Sequence, residues 1–186
     1  MKAVFFIILC LAVFTGCGDG AVTSPSNQSS EYYPLQIGNE WRYIETRNYN
    51  YDTVGIYKIS VVSKEEINGK IYFKLSDSAK YAEKTRGERY ERIEDEKLYY
   101  YKNGYSKEVL DIDFVNRDNS VGSFYGSLDK VEYPIGTFYN VKQINWLQVD
   151  YSSFNEYAPG IGLISSTSNG VRRELVYAKI SDKIYQ

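Results

Sequence analysis

The side chains that could do chemistry are few, and the first constraint is a missing residue type. The chain of 186 residues contains no histidine, and its one methionine is Met1. Histidine-based catalysis and histidine-ligated metals are therefore excluded. Oxygen ligands concentrate in Asp111, Asp113, Asn116, Asp118 and Asn119, within DIDFVNRDN. A calcium loop needs acids at alternate positions, a glycine bend and a distal Glu. Val115 breaks that alternation and Gly122 comes late, so a strand end running into a polar turn accounts better for the cluster. Glu91, Glu94, Asp95 and Glu96 could offer the carboxylate pair of a glycosidase. They sit among arginines in a predicted hairpin and read as surface charge. Serine fares no better: there is no G-x-S-x-G elbow, and no S-x-x-K with its supporting motifs. The expectation is a non-enzymatic protein with no catalytic residue, no metal site and no cofactor.

One residue is assigned a chemical role, and it lies near the start. Lys2 is followed by an almost unbroken apolar run, Val4 to Phe14, closed by Phe14-Thr15-Gly16-Cys17. The run is shorter than the roughly 20 residues a bilayer requires and has no stop-transfer charge cluster after it, so it reads as a secretory signal. Its ending resembles the lipobox of bacterial lipoproteins, with Phe14 where that box usually carries Leu. The resemblance implies that residues 1–16 are removed and that Cys17 is lipidated and becomes the first residue of the mature protein. Gly18 follows Cys17, where an Asp would resemble the inner-membrane retention signal of enteric bacteria, so outer-membrane attachment is expected. Cys10 leaves with the signal, and no pair remains for a disulfide. The fold must be held by its core.

These features need a scaffold, and composition indicates which kind. Loss of the leader removes only Lys2, leaving 21 basic against 24 acidic residues; this balance argues against a nucleic-acid partner, which would call for a basic face. Residues 17–30 (CGDGAVTSPSNQSS) are small and polar and form the expected tether. Residues 31–186 suit a single domain. Twenty tyrosines, eight phenylalanines and two tryptophans favour strands, where a ring can be buried with its polar edge in water.

Period-two alternation and turn residues predict nine to eleven strands. Trp41, Tyr43 and Glu45 share one face of a strand over 40–47. Tyr57, Ile59 and Val61 share one face of the next, and Asn68-Gly69 turns it into Ile71–Leu75. Arg89–Ile93 and Lys97–Lys102 pair across Glu94-Asp95-Glu96, and Asn169-Gly170 joins the last two predicted strands. The balanced charges between Lys80 and Lys97 read as a solvated face, and a short helix is predicted over 78–84. Trp41 and Trp146 are assigned to the core. The fold class is all-β and antiparallel, as a curved sheet, an open barrel or a sandwich with little helix.

Three segments in order, YPL-x-x-GN-x-WRY (33–43), GTFYNV (136–141) and YAPGIGL (157–163), resemble a loose group of bacterial envelope lipoproteins of unassigned function. That resemblance covers the mature domain and implies a β-rich fold, related in shape by analogy to the half-barrels of the lipoprotein carrier and receptor LolA and LolB. It supplies no catalytic residue. Two functions fit: a lipid-anchored envelope protein whose groove binds or carries a hydrophobic ligand, or an accessory module contacting envelope proteins or polysaccharide. A hollow interior would separate the first from the second.

Replacing Cys17 by Ser should move the protein from the membrane fraction to the soluble fraction on sedimentation. Continued sedimentation with membranes would contradict the lipoprotein reading.

Overall fold

The computed structural model describes residues 30–47, 53–79, 88–101, 107–116, 122–148 and 151–186. Cys17, the leader and the tether up to residue 29 lie outside them, as do most of the predicted helix and Lys102, the last residue of the predicted 97–102 strand. Ser78 and Ala79, the first residues assigned to that helix, belong to a strand instead.

Twelve strands are seen among the described residues. They are β1 (Glu40–Arg47), β2 (Thr53–Ile67), β3 (Lys70–Ala79), β4 (Arg89–Glu94), β5 (Lys97–Tyr101), β6 (Val109–Asp113), β7 (Gly122–Tyr133), β8 (Gly136–Gln148), β9 (Tyr151–Ala158), β10 (Gly162–Ser168), β11 (Val171–Ile180) and β12 (Lys183–Tyr185). Each pairs with the next in sequence, and β1 also pairs with β11 from Glu40↔Lys179 to Arg47↔Val171. The sheet therefore closes into an eleven-stranded barrel. All neighbours are antiparallel except β6 and β7, which share a two-residue parallel contact. Strand β12 extends the β10 side of β11 where β10 has ended. Of the three all-β architectures expected, the barrel is the one observed, and it is closed rather than open or half-formed.

Turn chemistry sets the hairpins. Asn68-Gly69 and Asn169-Gly170 both have positive φ at each position, the geometry that matches the right-handed twist of the flanking strands. Asp95 and Glu96 adopt the same conformation without a glycine. Strands β7 and β12 were not predicted. The glycines and serines at 122, 123, 126 and 127 make β7 look like a loop, yet it pairs with β8 along almost its whole length.

Register shifts interrupt several ladders, including β1–β11, β2–β3, β5–β6, β7–β8 and β9–β10. Such bulges bend and twist a sheet, which is what closure demands.

The segment 30–39 lies across one end of the barrel. Ser30 Oγ donates to Glu96 Oε2 (2.6 Å), Gly160 N to Glu31 O (2.6 Å), the Tyr32 hydroxyl to Asn140 O (3.0 Å), and Gly38 N to Val61 O (2.9 Å). Four separate parts of the barrel are thereby tied to one stretch of chain. Leu35 and Tyr33 are buried beneath it. Asn39, fully buried, donates to Pro34 O (2.8 Å) and accepts from Ser181 N (2.8 Å).

The three resembling segments meet at this plug. Gly160 and Gly162 take φ of +73° and +98°, turning the Ile161 carbonyl toward Trp41, whose Nε1 donates to it at 2.6 Å. Tyr33 stacks on Trp41 with ring centroids 6.5 Å apart. A Cβ on Gly162 would meet Trp41 Nε1 at 3.4 Å and Pro34 Cδ at 3.5 Å in a backbone conformation L side chains rarely adopt.

Gly162→Ala should therefore cost about 1–3 kcal/mol in chemical denaturation. Gly126→Ala, whose Cβ would find only Gln143 Oε1 at 3.7 Å, should cost less. Equal losses would show that the turn tolerates a side chain.

Candidate functional site: a polar cavity in the barrel lumen

Closure gives alternate residues of every strand an inside. Near the plug that inside is a packed apolar core in which Leu75, Val141, Ile144, Ile164 and Leu175 are wholly buried. Against it, sharing Tyr33, Trp41 and Tyr157 with the core, a cavity of about 360 Å³ remains. Its aromatic wall includes Tyr33, Trp41, Tyr43, Tyr57, Trp146 and Tyr157, and its polar wall includes Arg89, Glu91, Asp111, Asn155, Ser166 and Arg173. Trp146, Ser168 and Arg173 are part-exposed, whereas Tyr33 and Trp41 at the plug are buried. The cavity thus comes nearest to solvent at the end away from the plug.

The interior charge is organised around Arg89. Positions 89, 91 and 93 share the inner face of β4, which directs Arg89, Glu91 and Ile93 into the lumen. Arg89 Nε lies 2.7 Å from Glu91 Oε1, and Nη1 lies 3.3 Å from Asp77 Oδ2. The first contact is a close ion pair without hydrogen-bond alignment, since the Nε–H lacks a geometrically sound acceptor. Tyr33 donates to Glu91 Oε2 at 2.6 Å and Tyr57 to Asp77 Oδ2 at 2.5 Å. Burial pushes Glu91 up, while Arg89 and the Tyr33 hydroxyl draw it back. Nearer the end away from the plug, Arg173 pairs with Glu45 (2.6 Å) and lies 4.3 Å over the Tyr57 ring.

Asp111 stands apart from this network. In the β5–β6 ladder Leu98 pairs with Ile112 and Tyr99 with Leu110, which leaves Asp111 as the unpaired residue of a bulge. A bulge re-aims a side chain, and Asp111 lines the cavity together with its neighbour Ile112. It has no hydrogen-bond or ion-pair partner among the described residues. Burial, reinforced by the Glu91 charge and partly offset by Arg89, raises its pKa to about 7. Asn155, only 5% exposed and also on the wall, has an Oδ1 with no partner among the described residues.

The residues singled out in the sequence are therefore separated. Asp113 points into its own turn, accepting from Val115 N and Asn116 N (both 2.9 Å) and Asn116 Nδ2 (3.0 Å). Burial raises its pKa, but these donors outweigh that and hold it below the usual range. Asp118 and Asn119 lie outside the described residues. Among Glu91, Glu94, Asp95 and Glu96, the surface reading needs correction at Glu91, which is 4% exposed and faces the lumen. Glu94 is exposed and pairs with Arg92, while Asp95 and Glu96 form the turn.

The solvated-face reading of 80–97 also fails at Arg92, 4% exposed on the outer side of β4. There it pairs with Glu108 and lies 4.4 Å over the Tyr99 ring. Burial works to raise the Glu108 pKa, but Arg92, Lys70 and the Tyr72 hydroxyl prevail and bring it to about 2. Trp41 belongs to the core as expected; both tryptophans, however, also line the cavity.

No family model matches the chain, and no curated protein matches it. Two crystal structures are similar in fold. One is of a protein from Bacteroides fragilis described as exported with a YmcC-like fold, at 15% identity and a TM-score of 0.46, covering 83% of this chain and 99% of that one. The other is of a protein from Parabacteroides distasonis described as a lipoprotein, at 12% identity and a TM-score of 0.48, covering 82% and 97%. At this distance neither likeness bears on what the cavity holds.

Because the folded pKa of Asp111 lies above the ordinary 3.8, its contribution to stability is fully present below about pH 4 and is lost as pH rises through about 7. Asp111→Asn should match the parent protein in urea midpoint at pH 4 and exceed it at pH 8. Equal midpoints at both would mean that water already solvates the carboxylate.

Proposed function

We propose that this protein is a lipid-anchored, non-enzymatic binding protein of the bacterial cell envelope that holds a small ligand inside its barrel. The observation that carries the reading is the lumenal cavity, whose volume of about 360 Å³ lies in the range of about 300–1,000 Å³ typical of small-molecule sites. The leader and Cys17 support the envelope address, and the favoured attachment is the outer membrane. The lining refines the expected ligand: a purely hydrophobic cargo would leave Arg89, Glu91 and Asp111 facing hydrocarbon, a costly arrangement. An amphipathic molecule, with an apolar body against the tyrosine and tryptophan rings and a polar group toward the charged wall, suits the cavity better than an acyl chain.

Native mass spectrometry of the full chain, purified from an exporting bacterium and compared before and after solvent extraction, tests this. A stoichiometric small-molecule adduct is expected. Ser166→Phe, which puts a ring into the cavity, should lose it while remaining folded. A clean apo mass for the parent protein would shift the reading to an accessory module that contacts envelope proteins or polysaccharide.

A further inference from the structure

The charges and hydrogen bonds of the lumen do not balance. Asp77, Glu91, Glu45 and Asp111 face or border it, against Arg89 and Arg173. Three of those four acids already have a guanidinium, and Asp111 has none among the described residues. The hydrogen-bond demand at Asp111 and Asn155 has the same sign. Trp41 Nε1 and the hydroxyls of Tyr33, Tyr43 and Tyr57 all donate to protein acceptors, and the Arg173 guanidinium is held by Glu45. On the wall, two acceptors lack a partner among the described residues, the Asp111 carboxylate and the Asn155 amide oxygen Oδ1, against one donor, Arg89 Nε, which already lies 2.7 Å from the Glu91 carboxylate. A second independent feature is the β6 bulge, which spends a register shift to bring Asp111 inside. Around these acceptors stand electron-rich rings, including Tyr157, whose hydroxyl feels the Asp111 charge.

Resting on the lumenal-binding reading above, we infer that the ligand carries an ammonium group, paired with the Asp111 carboxylate and hydrogen-bonded to Asn155 Oδ1, with its body against the aromatic wall. An ammonium is a donor without acceptors, so it meets both unsatisfied atoms at once. Ring faces add cation–π attraction that strengthens where water is excluded. An anionic ligand would instead face the uncompensated Asp111 carboxylate, because both guanidiniums are already ion-paired with wall carboxylates. The groups that set the Asp111 charge are Glu91 and Arg89 on β4, and Tyr157 on β9 lies within its field. Amine binding favours the ionised carboxylate and should tighten as pH rises through about 7.

Isothermal titration of the full chain with 2-phenylethylammonium, 2-phenylethanol and phenylacetate provides the test. The expected order is the ammonium at least tenfold tighter than the alcohol, with phenylacetate weakest. The ammonium affinity should rise several-fold from pH 5.5 to pH 8, and Asp111→Asn should remove both the preference and the pH dependence. Asn155→Leu should weaken the ammonium more than the alcohol. If the alcohol or phenylacetate binds as well as the ammonium, or Asp111→Asn binds it unchanged, the ammonium assignment is overturned while the lumenal reading stands. If none of the three binds, the ammonium assignment is overturned; the lumenal reading falls with it only where native mass spectrometry also gives a clean apo mass.

Discussion

The pairing of β1 with β11 is the constraint on which the rest depends. A meander of neighbouring hairpins would leave two open edges and a face that either packs on something else or meets water. Joining the first strand to the eleventh removes those edges and commits alternate residues of every strand to a shared interior. The bulges, the plug over one end and the cavity against the packed core are consequences of that geometry. A sheet that closes must bend, its ends must be covered or left open, and eleven strands enclose more space than the apolar side chains alone occupy.

Inside such a barrel, charge is expensive. Removing one member of the Arg89 network would strand the others without solvent, a loss that typically costs about 3–5 kcal/mol even where the intact pair contributes little net stability. Asp77 and Glu91 each bind a tyrosine hydroxyl as well as sharing Arg89, so the network is cross-tied between β2, β3, β4 and the plug. A polar interior of this kind does not help the barrel fold more than packed hydrocarbon would. Its persistence where packed hydrocarbon would serve the fold as well is why the cavity, and not the rest of the core, is where function should be sought.

How far the sequence made this visible depended on the range of the interaction. Period two placed Trp41, Tyr43 and Glu45 on one face, and Asn-Gly pairs marked two turns, because both signals are local. The same period places Arg89 and Glu91 on the face of Ile93, but their charge suggested solvent; only knowing that the sheet closes makes that face an interior. Asp111 was legible as a carboxylate and not as a lumenal one. Its direction is decided by a mismatch with Tyr99 and Leu98 on the next strand, and the register between two strands is not written in either alone. Closure itself joins residues about 130 positions apart, beyond the reach of any local pattern.

The two tryptophans have a further consequence. They are the only ones in the chain, and both stand on the wall of the same cavity. Indole emission depends on the polarity around the ring, so the tryptophan component of the protein's fluorescence originates wholly beside the space where a guest would sit. Trp41 is pinned by its bond to Ile161, whereas Trp146 lies against Gly122, where even a methyl group would collide with its ring. The barrel thus has a built-in optical gauge of its own lumen, with one indole anchored at the plug and the other toward the opposite end.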